Sequence, residues 1–210
     1  MGAKTALLAF SDGDLRPALI SEIPSLQTEA ERLVHAVHPG REVTPTEDEF
    51  LTRLSYPPAD RTYARVLAGA EILCDRRLVL DRPSELPEHL LKLGEGRRIL
   101  MHGMHSVNDL LCFAVWENGT LIRSLSLSPD GGITENIGEP LVFEHPFWAG
   151  EHPVEADPDW EDEEPYPLSF HPLEMGEEAL RALYGFVREG YPQPDDINAD
   201  AVRLHGFIVR

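Results

Sequence analysis

His102 and His105 in MHGMHSVNDLLC stand three residues apart, and with Asp109 and Cys112 they put four metal-ligand side chains into eleven residues. Two neutral imidazoles beside a carboxylate could hold a divalent cation, which would polarise a substrate or activate water. The spacing departs from a zinc finger, because no second Cys or His pair follows at a standard distance. It departs from a zincin as well, because no Glu stands between the histidines. If a strand begins at Leu110, Cys112 points into the sheet and is a poor ligand. The plainer reading is a polar turn with one histidine hydrogen-bonded and the other wet. A third is a single histidine acting as general base.

Asp12-Gly13-Asp14 is the next candidate, since acidic turns of this outline hold Mg²⁺ for phosphoryl chemistry. Two acids around a glycine also suit any tight turn, and the acid–x–acid–Gly–Thr order of phosphatases is absent. His145, His152 and His171 each precede proline, which fixes their backbone as extended. With Glu144, Glu151 and Glu155 they form a second, weaker candidate for a cation site. The glycines of SPDGGITENIG lack the Lys-Ser/Thr of a phosphate loop and read as a hairpin turn. No G-x-S-x-G elbow occurs, and neither cysteine has a papain-like context. Arg76 and Arg77 in CDRR could face an anion, although the neighbouring acids make intramolecular pairing the safer expectation.

Composition narrows the class. At 210 residues the chain is long enough for one large domain, expected over 1–210, with 42% apolar and 26% charged residues. Its net charge of −19 would repel phosphate backbones, so nucleic acid is not an expected partner. From Ser124 to Leu180 there is no Lys or Arg but fifteen Asp or Glu, a face suited to a basic protein partner or a small cationic ligand. No signal-like segment or apolar run of 18 residues is present, so the expected location is cytoplasmic, away from a membrane. Cys74 and Cys112 lie inside apolar stretches and are expected to be reduced core residues.

The elements that would position these residues run from Arg97 to Phe143. RRILMHG (97–103), LLCFAVWE (110–117), TLIRSLSL (120–127) and ITENIG (133–138) read as consecutive strands. Asn118-Gly119 is a strong hairpin signal between the second and third. In TLIRSLSL, alternation puts Leu121, Arg123, Leu125 and Leu127 on one face. Residues 3–10 form a buried strand, 62–75 and 76–80 a strand pair or a strand after an irregular segment, and 201–210 a last strand. Helices are expected at 25–40, at 171–190 and, shorter, before Gly94; the stretch 41–61 reads as mostly loop. The acids and prolines of 151–170 make an extended surface loop, pinned by Trp148, Trp160 and Tyr166. The fold class is α+β: a mixed, mainly antiparallel sheet with two main helices packed on it and a long acidic Pro-rich surface loop.

The segments MGAKTALLAFSDGD, LCDRRLVLDRPSELPEHL, MHGMHSV, CFAVWENG, RSLSLSPDGGITENIGEP, FWAGEHPVE and FHPLEMGEEALRALYGFV resemble, over nearly the whole chain, an uncharacterised family of roughly 200-residue cytosolic proteins from high-GC bacteria. The resemblance implies a cytosolic single-domain protein and transfers no catalytic residue. The expected function is therefore binding or regulation, through the acidic surface and a polar pocket near the His102/His105 turn. Ligand-binding residues would come from His102, His105, Asp109, Asp12 and Asp14. The alternative is a metal-dependent hydrolase-like enzyme built on His102, His105 and nearby carboxylates.

Overall fold

The strand KTALLAFS (β1, Lys4–Ser11) buries every residue after Lys4. That demands cover on both faces, and the sheet supplies it by placing β1 in the middle. In the structure, a computed structural model describing residues 2–21, 23–155 and 166–210, nine strands form one sheet. The other eight are β2 (Val43–Phe50), β3 (Arg61–Leu67), β4 (Ala70–Cys74), β5 (Arg98–His105), β6 (Leu110–Glu117), β7 (Thr120–Ser128), β8 (Gly132–Ile137) and β9 (Arg203–Val209). Their order is β2-β9-β3-β4-β1-β5-β6-β7-β8.

Every pairing is antiparallel, so the expected mixture gives way to an all-antiparallel sheet. Between β5 and β8 the cause is local: neighbouring strands are joined by short turns, and parallel neighbours would need long crossovers. At Asn118, φ is 51°, as the two-residue turn between β6 and β7 requires.

Alternation along the strands divides the core in two. Leu7 and Ala9 of β1 join Leu100, Met104, Phe113 and Leu125 under helix α6 (Pro172–Tyr184), whose Met175, Ala179, Leu180 and Leu183 are buried. Leu8 and Phe10 join Ile99, Met101 and Trp116 on the other face. There α2 (Gln27–Val37) contributes Ala30, Val34 and Val37, and α4 (Glu88–Leu93) contributes Leu90. The remaining helices are single turns: α1 (Arg16–Leu19), α3 (Leu51–Leu54) and α5 (His145–Trp148). The sheet dominates the architecture, with α2 and α6 of eleven and thirteen residues on opposite faces.

Several expectations change for identifiable reasons. The stretch 41–61, read as loop, contains β2; its sequence VTPTEDEF is polar and carries Pro45 because it is an edge strand. There a missing N–H costs little, and charge discourages pairing with another chain. The apolar run 62–75 folds back at Ala68-Gly69 into β3 and β4. Residues 76–78 then make a 3-10 turn rather than a strand, because the Asp75 carboxylate accepts the Arg77 N–H at 2.8 Å. Helix α6 stops at Gly185, whose φ of 85° ends it five residues before the expected boundary. In β7 a register shift at Ile122 sends Leu121 to the α2 face while Leu125 and Leu127 stay under α6.

Asp75 also shows where the two arginines of CDRR go. Its Oδ2 accepts from His38 Nε2 at 2.8 Å, Thr62 Oγ1 at 2.5 Å and Arg77 Nη2 at 2.7 Å, which ties the end of α2 to the sheet. Burial works against the carboxylate charge, but the hydrogen bonds from His38, Arg77 and Thr62 prevail and hold its pKa down at about 2. Arg76 instead lies over the Tyr56 ring, 4.7 Å from its centroid. Cys74 and Cys112 are buried free thiols. Of the acidic stretch 151–170, the part from 156 to 165, with Trp160, lies outside the described residues.

Candidate functional site

A His-x-x-His pair on a strand points its two side chains to opposite faces, since residues three apart differ by an odd number of steps. Both histidines belong to β5, and the structure separates them in this way. His102 lies under α6, fully buried. Its Nε2 is 2.9 Å from the Gly176 carbonyl and its Nδ1 2.8 Å from Thr5 Oγ1, which itself accepts the Met104 N–H at 2.9 Å. Because a carbonyl can only accept, Nε2 carries the proton; Nδ1 accepts from the threonine hydroxyl. Both ring nitrogens are thereby used, and burial holds the imidazole down at about 4, so it stays neutral.

Gly176 matters to this bond: a Cβ there would collide with Met104 and Leu111, so only glycine lets α6 approach the sheet closely enough. His102 is a pin between helix and sheet, with no lone pair free for a metal.

His105 faces the other way, at the end of β5 beside Lys4. It is half-buried and meets the Tyr56 ring edge-on at 5.4 Å between centroids. Asp12 and Asp14 sit beyond the far end of β1, roughly 23 Å along the strand at about 3.3 Å per residue. Arg97 Nε donates to Asp12 at 2.8 Å, and Asp14 accepts the Arg16 N–H at 3.0 Å to start α1. The two aspartates therefore do not converge with the histidines. Among the described residues, no three His, Cys, Asp or Glu side chains gather in a metal-holding group.

Asp109 does meet a histidine, but one from the other candidate set. Its carboxylate lies 3.6 Å from His171 Nε2. His171 Nδ1 accepts the Leu173 N–H at 3.2 Å as the cap of α6, which leaves Nε2 to carry the proton towards Asp109. Tyr166 stacks on His171 with centroids 5.4 Å apart, and burial followed by the Asp109 charge pushes its phenol up to about 12.

His171 lines a cleft of about 650 Å³ between α5, the first turns of α6 and the segment after α6. Four carboxylates bound it: Glu174, Glu177, Glu178 and Glu189. Phe147, Leu173 and Tyr191 supply apolar walls, and His152 stacks on Phe147 at 4.2 Å. Glu177 is structural, accepting the Arg188 and Glu189 N–H groups at 2.6 and 3.0 Å and so shaping the wall. Among the described residues the one Lys or Arg lining the cleft is Arg181, which is shared by Glu178 and Asp196. Glu174 and Glu189 are exposed and make no ion pair among the described residues.

His171, His152 and Asp109 stand out in the sequence, but this grouping does not, because it joins Ala3 and positions from Phe147 to Gln193. The available signal was the acid pattern LEMGEE opening a helix, which places Glu174 and Glu178 one turn apart on one side. A larger groove of about 830 Å³ adjoins, but its two carboxylates are engaged, Asp196 by Arg181 and Asp200 by Thr52.

Fold and cleft together define an α+β protein with one nine-stranded antiparallel sheet and an acid-rimmed cleft beside α6. A family model matches residues 5–207, and the chain belongs to that family, a family of unknown function (DUF6928). Comparison with curated proteins and with solved structures gave no match. Among the described residues, no helix is long and apolar enough to cross a membrane.

Proposed function

We propose that this is a binding protein whose cleft takes an organic cation, an amine or guanidinium carried on an apolar body. The observation behind this reading is the imbalance of four carboxylates against one already paired guanidinium, over the Phe147 and Leu173 walls. A single exposed carboxylate contributes little to binding a cation. Several in a concave site with low-dielectric walls act together, and a net charge of −19 draws cations towards the surface. The cation would be held between Glu174 and Glu189 while its body lies against Leu173 and Tyr191, and a lysine or arginine of a protein partner satisfies the same chemistry. The hydrolase alternative has less behind it, since both nitrogens of His102 are occupied and His105 faces the opposite side of the sheet.

Calorimetric titration with 2-phenylethylamine, against uncharged 2-phenylethanol, tests the reading. The amine is expected to bind at least about tenfold more tightly, a difference of about 1.4 kcal/mol, and to lose most of that advantage at high salt. The double variant Glu174→Gln/Glu189→Gln should abolish the preference. Equal binding of amine and alcohol, or an unaltered preference in the double variant, would refute it.

A further inference from the structure

The chain carries 18 Lys and Arg against 37 Asp and Glu, and among the described residues seven of its sixteen arginines pair with carboxylates. One place reverses this pattern. A pocket of about 190 Å³ where β1 begins is lined by Gly2, Lys4, Arg53, Ser55, Tyr56 and Arg188, with no Asp or Glu among them.

Lys4 and Arg188 make no ion pair among the described residues, and Arg188 Nε is buried without a hydrogen-bond acceptor. Arg53 has only a loose partner, Glu49 at 3.7 Å, with the two side chains 72% and 31% exposed, so it can be released at little cost. Ser55 Oγ donates to the Lys4 carbonyl at 3.1 Å and fixes the wall. Tyr56 is held from behind by the Arg76 guanidinium, which also donates to the Pro57 carbonyl at 2.6 Å. His105 meets the Tyr56 ring edge-on, its pKa lowered first by burial and then by the Lys4 and Arg76 charges. None of the residues expected to bind a ligand, His102, His105, Asp109, Asp12 and Asp14, lines this pocket, whose charge is positive.

We propose that this pocket binds the phosphoryl group of a phosphorylated small molecule, whose body lies in the adjoining 830 Å³ groove. Three cations match the two charges of a phosphate monoester, and guanidinium forks suit its oxygens. At about 190 Å³ the pocket is smaller than the roughly 300–1,000 Å³ of sites that enclose whole ligands, so it takes a head group. The groove shares Arg53 and Arg188 with it and adds the neutral hydrogen-bonding side chains Gln193 and Asn198, which favours a polar body over free phosphate.

The test is titration of the full chain with inorganic phosphate, ribose 5-phosphate, ribose and, at matched ionic strength, chloride. Ribose 5-phosphate is expected to bind about tenfold more tightly than phosphate, with no saturable binding of ribose or chloride. Lys4→Gln and Arg188→Gln should each weaken it about tenfold with an unchanged melting temperature, while Glu174→Gln/Glu189→Gln leaves it unaltered. That last comparison separates this site from the cation cleft. No saturable binding of either phosphate compound, equal binding of chloride, or full affinity in both variants would overturn the proposal. Equal affinities for phosphate and ribose 5-phosphate would assign the pocket to the free ion and overturn the role of the groove.

Discussion

Glu144→Gln is expected to lower the unfolding free energy by about 3–5 kcal/mol, because it strands a buried cation. Arg123 and Glu144 are both fully buried, with Nε to Oε1 at 2.9 Å and Nη2 to Oε2 at 2.7 Å. The remaining valences are filled as well. Arg123 Nη1 donates to Asn136 Oδ1 and the Ile137 carbonyl at 2.6 and 2.9 Å, and Glu144 accepts from Leu141 N–H at 2.8 Å and Trp148 Nε1 at 3.0 Å. Loss of the carboxylate charge leaves the guanidinium without compensation and releases α5, whose Phe147 walls the cleft. Replacing both partners, as Arg123→Met/Glu144→Leu, should cost much less than the single change, since no buried charge then remains. Urea denaturation of the three proteins reads this directly; a double variant as unstable as the single one would contradict it.

The second large effect is set by pH. His102 is held at about 4 in the fold against an ordinary value near 6.5, so the folded state favours the neutral ring. Its contribution is complete above pH 6.5 and is lost as pH falls towards 4, at about 1.4 kcal/mol per pH unit and about 3 kcal/mol in all. Asp75 acts in a lower window: with its pKa at about 2 against 3.8, its stabilisation is present above 3.8 and is lost as pH falls from there towards 2. Comparing denaturation at pH 7 and pH 4.5 therefore reads the histidines rather than Asp75, and the His102→Gln variant separates His102 from His105, whose pKa is also lowered. The wild type should lose most of this stability between the two, while His102→Gln, weaker at pH 7, should lose much less. Parallel losses would show that protonation of His102 is not the cause.

The sequence made the centre of the sheet legible because β1, β5 and β6 are buried on both faces and read as continuous apolar runs. It hid β2, an edge strand whose acids and proline look like loop. Simple alternation placed Arg123 beside Leu125, correctly, but could not show that Glu144, twenty-one residues on, completes a buried pair. The histidines misled for a geometric reason. On a helix, His102 and His105 would share a face, whereas on β5 they are parted by the sheet, one bonded to α6 and the other turned towards Tyr56. The cleft was illegible as a unit because its walls come from α5, α6 and the segment at 189–193, brought together only by packing.

An organic cation in the Glu174–Glu189 cleft would be seen by the residues that line it. Titrating 2-phenylethylamine into ¹⁵N-labelled protein and following the backbone amides tests this binding most directly. Saturable shifts are expected, concentrated at Leu173, Glu174, Gly190 and Tyr191, with 2-phenylethanol needing at least about tenfold higher concentration to produce them. Shifts centred instead on Asp12 and Asp14, or no saturable shift at the cleft residues, would contradict it.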